Sequence, residues 1–181
     1  MRDFKIRILD QYWISKNPDD RKDLCSHGLI ELVIGDVIVS NESDIDWTIS
    51  TSGLMLLRSI NVDHIVDGDY PIINHCGQLG MIGCPISIDW TIKSNDNEVC
   101  IEQVKKYPST NREDVINFKG VNVRVERKKF IREIVRFCDD IKEFFKGKKR
   151  EFRSDYDKKE WLNFWSEFDK LLDKHRSELK S

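Results

Sequence analysis

The 181-residue chain carries 30 Lys and Arg against 32 Asp and Glu, for a formal net charge of −2, with 39% hydrophobic and 34% charged residues. Nine Phe and five Trp, beside many Ile and Val, provide enough apolar surface for a core, which excludes a disordered chain. The length suits one domain, residues 1–181. Charge is unevenly placed: residues 1–120 hold 12 Lys and Arg against 19 Asp and Glu, a net of −7, and residues 121–181 hold 18 against 13, a net of +5.

Met1, Arg2 and Asp3 open the chain with no apolar segment behind them, so no secretory signal is expected. The longest uncharged stretch, residues 70–88, contains Pro71, Gly77, Gly80, Gly83 and Pro85, which break a membrane-spanning helix. Five cysteines without C-x-x-C spacing (Cys25, Cys76, Cys84, Cys100 and Cys138) read as free thiols. Together these features predict a cytoplasmic protein that does not enter a membrane.

In chain order, Phe4, Ile6 and Ile8 alternate with Lys5 and Arg7, the period-2 pattern of a half-buried strand. Residues 29–34 and 37–39 are rich in Ile and Val around Gly35-Asp36, so they form either a tight hairpin or one strand with a glycine bulge. Residues 46–49 read as a strand, after which Ser50, Thr51 or Ser52 caps a short buried helix carrying Leu54, Met55, Leu56, Leu57 and Ile60. Residues 86–92 and 98–104 flank the turn-forming residues 94–97 and predict a hairpin. Val121, Val123 and Val125 mark a last strand.

From Arg127 the period changes. Phe130, Ile131, Ile134, Val135, Cys138, Ile141, Phe144 and Phe145 fall on one helical stripe that Gly147 is placed to end. A basic link, residues 148–153, leads to a second helix capped at Asp157 or Ser154, with Trp161, Trp165, Phe168, Leu172 and Leu179 on its inner face and Leu162 and Leu171 alongside. The predicted class is α+β: a mostly antiparallel mixed sheet in residues 1–125, one short buried helix, and two long amphipathic helices in residues 126–181 packed on the sheet. One internal echo stands out, because residues 45–49 recur as residues 88–92 (Ile-Asp-Trp-Thr-Ile). A duplicated strand unit and a chance match both fit it.

Residues 64–84 hold the side chains with most chemical potential. Imidazole and thiolate are the usual zinc ligands, and His64, His75, Cys76 and Cys84 are candidates, with Cys25 and His27 as further donors. Their spacing matches no common finger or ribbon, and adjacent His75 and Cys76 do not readily ligate one ion together, so neither a metal nor any other cofactor is expected. A nucleophilic Cys76 would need His64 as base and Asp63, Asp67 or Asp69 to orient it. The glycines of 77–83 match no phosphate-binding loop. Lys146, Lys148, Lys149, Arg150 and Arg153, with Phe152, offer a basic patch, but a pI near 6.1 speaks against a dedicated nucleic-acid binder.

Asn74-His75-Cys76-Gly77, then residues 83–90 and two aromatic-rich helices, resemble a group of small bacterial proteins of unassigned function. The order of elements, the acidic face and the absence of a catalytic set also resemble immunity proteins of bacterial toxin systems. That likeness implies a non-enzymatic protein that neutralises a basic toxin partner, and it assigns no residue. The acidic residues expected to meet such a partner are Glu42, Asp44, Asp46, Asp63, Asp67 and Asp69, since an acidic surface speeds encounter with a basic one. The alternative is an enzyme or metal-binding protein using His64, His75, Cys76 and Cys84. Oligomeric state is not legible.

Overall fold

Alternation of apolar and charged side chains sets the first sheet. The computed structural model describes residues 4–68, 70–76, 79 and 84–180. Strand β1 (Phe4–Tyr12) pairs antiparallel with β2 (His27–Ile34), so that Phe4 faces Ile34 and Ile6 faces Leu32. These four are buried, while Lys5 and Arg7 on the other face each reach Glu31 at 2.8 Å. The two cations hold the Glu31 carboxyl below its usual range. A bulge at Leu9 shifts the register, and past it the β1 backbone runs so close to Gly28 that a β-carbon there would sit 1.9 Å from the Asp10 carbonyl oxygen. Only glycine fits.

Gly35, with φ +66°, and Asp36 form the tight turn from β2 to β3 (Val37–Ser40). The hairpin reading is therefore the correct one. The two-residue strand β4 (Trp47–Thr48) pairs with the start of β2 and feeds directly into helix α1 (Ile49–Ser59). The predicted strand 46–49 is thus only two residues long, and Ser50, Thr51 and Ser52 lie inside the first turn of the helix rather than capping it from outside.

The second sheet contains β5 (Ile73–Asn74), β6 (Ser87–Ser94), β7 (Glu98–Tyr107), β8 (Ile116–Asn117) and β9 (Asn122–Glu126). Strand β6 lies between β5 and β7, and β7 pairs with β9 along its first half and β8 near its end. The predicted hairpin at residues 94–97 is present. Every pairing in both sheets is antiparallel. Gln103, at φ +58°, forms a bulge opposite Trp90 and accepts a 2.8 Å hydrogen bond from Thr91.

The protein is α+β, with the β-structure divided into two sheets that share one core. Phe4 joins them, its ring 6.2 Å from Trp90 of β6 and 4.7 Å from Phe130. Helix α2 (Arg127–Phe145) packs against β1 and α1 and buries the stripe read from its sequence as far as Ile141, with Phe144 and Phe145 half-buried. The backbone turns at Gly147 with φ +72°, as a helix C-terminus favours. Helix α3 (Asp155–Lys180) is capped by Ser154, whose hydroxyl accepts from the Asp157 amide at 3.1 Å. It packs mainly on α1 and α2 rather than on a sheet: Phe168 lies 3.2 Å from where a β-carbon on Gly53 would stand, and Trp165 meets Phe145 at 4.7 Å. Leu162, expected alongside the inner face, is 53% exposed.

The echoed pentapeptides have different structures. Trp47 and Thr48 end in a helix, whereas residues 88–92 run through the centre of β6. No helix among the described residues is long and apolar enough to cross a membrane.

His175 of α3 is fully buried against the end of α1, with contacts of 3.2 Å to the Leu57 carbonyl, Asn61 and Glu178. Burial outweighs the attraction of Glu178 and lowers its pKa below 6.5; burial likewise lowers that of His75. The unfolded chain therefore takes up protons at a pH where the folded one does not. The contribution of these two imidazoles to stability is therefore full above about pH 6.5 and is lost as the pH falls below it. Urea midpoints between pH 7.5 and 5.5 should show this decline, and His175→Gln should flatten it to the share left by His75.

Candidate metal and ligand site

Strand β6 is buried on both faces. Ile88, Trp90 and Ile92 enter the core, while Ser87, Asp89 and Thr91 point the other way and are covered by the segment that comes after α1. A carboxylate in such a position must be fully hydrogen-bonded. Asp89 accepts from His64 Nε2 at 2.7 Å, from the Asp67 amide at 2.9 Å and from the Ile72 amide at 3.3 Å. His64 also makes a two-way backbone bridge to Ile92. His64 is thus engaged by Asp89, and it does not belong to the group formed by the other candidate ligands.

Residues 74 and 75 are pinned in turn. The Asn74 amide donates to Ser52 Oγ at 3.1 Å, Thr48 Oγ1 donates to the His75 carbonyl at 2.8 Å, and the His75 amide reaches the Ile86 carbonyl at 3.3 Å. Strand β5 stops at Asn74, and the chain bends at His75 and Cys76. In a continued strand these neighbours would point to opposite faces. The bend brings them together, with His75 Nδ1 3.1 Å from Cys76 Sγ, and Cys84 returns to lie 3.7 Å from the same nitrogen. One ligand atom from each of the three residues lies within 4.8 Å of the others.

Burial and the neighbouring Cys84 sulfur push the Cys76 thiol up. A free nucleophile needs the opposite shift, and a thiol that ligates must exchange its proton for the bound cation. Cys25 and Cys138 are buried thiols, Cys25 raised to about 12 by desolvation and Cys138 raised well above its usual value.

Beside the cluster is a cleft of about 250 Å³ whose lining includes Cys76, Cys84, Asp67, Asp89, Tyr107 and Arg112. Asp67 is held by Lys105 Nζ and Tyr107 Oη, both at 2.5 Å. Burial acts to raise its pKa, but these two hydrogen bonds outweigh it and keep the carboxyl below its usual range. The Arg112 guanidinium lies over the Tyr107 ring, 4.1 Å from its centroid.

Most of the acidic residues expected at a partner surface are engaged within the chain. Asp44 pairs with the buried Lys106, Asp46 lies 3.5 Å from Lys16, and Asp63 accepts from the Ser94 amide at 3.1 Å. Glu42 is exposed, and Asp69 lies outside the described residues. In the basic link, Lys148 stacks on Phe144 and Arg150 on Trp13, and Arg150 also donates to the Asp23 carbonyl at 3.0 Å. These two cations are turned inward.

Asp89 and Arg112 did not stand out in the sequence. Asp89 left one signal, a lone acid within the apolar run 86–92; Arg112 left none. Comparison of the chain with protein-family models, curated proteins and solved structures found no match. Replacing Asp89 with Ala leaves His64 and two amides without their acceptor and should cost about 3 kcal/mol. Chemical denaturation measures the loss, and hydrogen exchange at the Asp67 and Ile72 amides should accelerate with it.

Proposed function

We propose that the chain is a metal-binding protein in which His75, Cys76 and Cys84 hold one borderline-soft divalent cation, zinc by its ligand chemistry, at the edge of the cleft. The observation that carries this reading is the convergence of an imidazole nitrogen and two sulfurs within 4.8 Å. Tetrahedral zinc, with Zn–S near 2.3 Å and Zn–N near 2.0 Å, requires nitrogen and sulfur to stand about 3.5 Å apart. The separations of 3.1 and 3.7 Å lie on either side of that value. Two thiolates balance the charge of the ion, and the three ligands found among the described residues leave a fourth position for another ligand, as in reactive zinc sites. Two of the three ligands, Cys76 and Cys84, line the cleft.

Metal-free protein titrated with Co(II) should develop thiolate charge-transfer absorption saturating at one equivalent, and zinc should abolish it. Cys84→Ser should weaken binding by at least about tenfold, while Cys100→Ser leaves it unchanged. Absorption without a sulfur band, or equal affinity in both variants, contradicts the reading.

A second reading is a non-enzymatic partner protein of the immunity type that meets a basic toxin. It draws on the net −7 of residues 1–120. Because Asp44, Asp46 and Asp67 already have cations of their own chain, Glu42 and Asp63 are the residues to reverse in charge. Unchanged affinity and salt dependence toward a basic partner in Glu42→Lys/Asp63→Lys would count against it.

A further inference from the structure

The cleft beside the proposed metal ligands contains two carboxylates, and both are hydrogen-bonded within the chain. Asp89 is satisfied by His64 and two backbone amides, and the oxygens of Asp67 are occupied by Lys105 and Tyr107. Arg112 is placed differently. Its guanidinium rests on the face of the Tyr107 ring, and its charge acts on the nearby Asp67 carboxylate, which Lys105 and Tyr107 already hold by hydrogen bonds. Tyr107 is in turn fixed by its 2.5 Å hydrogen bond to Asp67, so the stacking surface under Arg112 is rigid. An arginine held flat in this way presents its N–H edge in a set direction and loses little freedom when it binds an oxyanion through two parallel hydrogen bonds.

We infer that this cleft takes a small oxyanion, a carboxylate or phosphate group, held between Arg112 and the open coordination position of the ion at His75, Cys76 and Cys84. The inference rests on the metal-binding reading and adds the class of ligand. With the two carboxylates already engaged, the ion supplies one positive centre and Arg112 the other. Size sets the second limit. About 250 Å³ is below the roughly 300–1,000 Å³ of sites for drug-sized molecules, which restricts the ligand to a compact anion or the anionic end of a longer one. Ser87 and Asn74, also on the cleft wall, offer neutral hydrogen-bonding groups for the remaining oxygens.

The Co(II)-loaded protein provides the test, with inorganic phosphate and acetate as probes added in turn. Either anion should shift the visible Co(II) bands saturably, and the tighter of the two identifies the head group. Arg112→Ala should weaken that anion at least about tenfold while leaving Co(II) affinity unchanged, and Arg112→Lys should restore part of the loss. Arg112 is exposed, so its replacement is not expected to unfold the chain, and circular dichroism verifies this. Bands that ignore both anions, or respond equally in Arg112→Ala, overturn the oxyanion inference and leave the metal reading standing. Failure of Co(II) to bind through sulfur overturns both.

Discussion

The candidate site depends on how the backbone of residues 72–75 is held. Asp89 accepts from the Ile72 amide, Ser52 from the Asn74 amide, Thr48 donates to the His75 carbonyl, and Ile86 receives the His75 amide. The partners come from three directions: the polar face of β6, the junction of β4 with the first turn of α1, and the residue just before β6. Such a short strand contributes little ladder stability of its own. Its position is set by these side-chain bonds, and the bend at His75 and Cys76 begins where they end.

This arrangement explains an otherwise costly choice of residues. Helix α1 is buried over almost its whole surface, yet it opens with Ser50, Thr51 and Ser52, and β6 buries Asp89 and Thr91. Apolar residues at these positions would make a simpler core. The hydroxyls and the carboxylate instead tie elements together. Ser50 accepts from the Ser26 amide of the chain entering β2, Ser52 accepts from β5, and Thr91 bonds both Val66 and the Gln103 bulge. A buried network that is fully satisfied specifies one arrangement, whereas a partly satisfied one destabilises. The first turn of α1 thus joins the two sheets by hydrogen bonds, while Phe4, Trp90 and Phe130 join them by packing.

Legibility in the sequence tracked the strength of local periodicity. The stripe from Phe130 to Phe145 and the alternation in Phe4–Ile8 and Val121–Val125 led directly to α2, β1 and β9. Two-residue strands such as β5 and β8 are too short to carry a period, and β1 continues past its Leu9 bulge through polar Asp10 and Gln11, where alternation no longer signals a strand. Residues 45–49 and 88–92 are identical and fold differently, because their downstream neighbours decide the outcome: a helix-compatible run after Ile49, and a turn after Ser94. In the site, linear spacing gave no sign that His75, Cys76 and Cys84 converge, because the bend that brings them together is a tertiary effect. His64 was grouped with them by nearness in the chain, although it is bound to an acid 25 residues away.

We propose that His75, at the end of this pinned segment, joins Cys76 and Cys84 in presenting one nitrogen and two sulfurs to a single ion. X-ray absorption at the zinc edge of the loaded protein tests it most directly. The expected result is a four-coordinate shell with two sulfurs near 2.3 Å and the remaining light atoms near 2.0 Å, one of them an imidazole nitrogen. A shell of oxygen and nitrogen alone, without sulfur scattering, would contradict it.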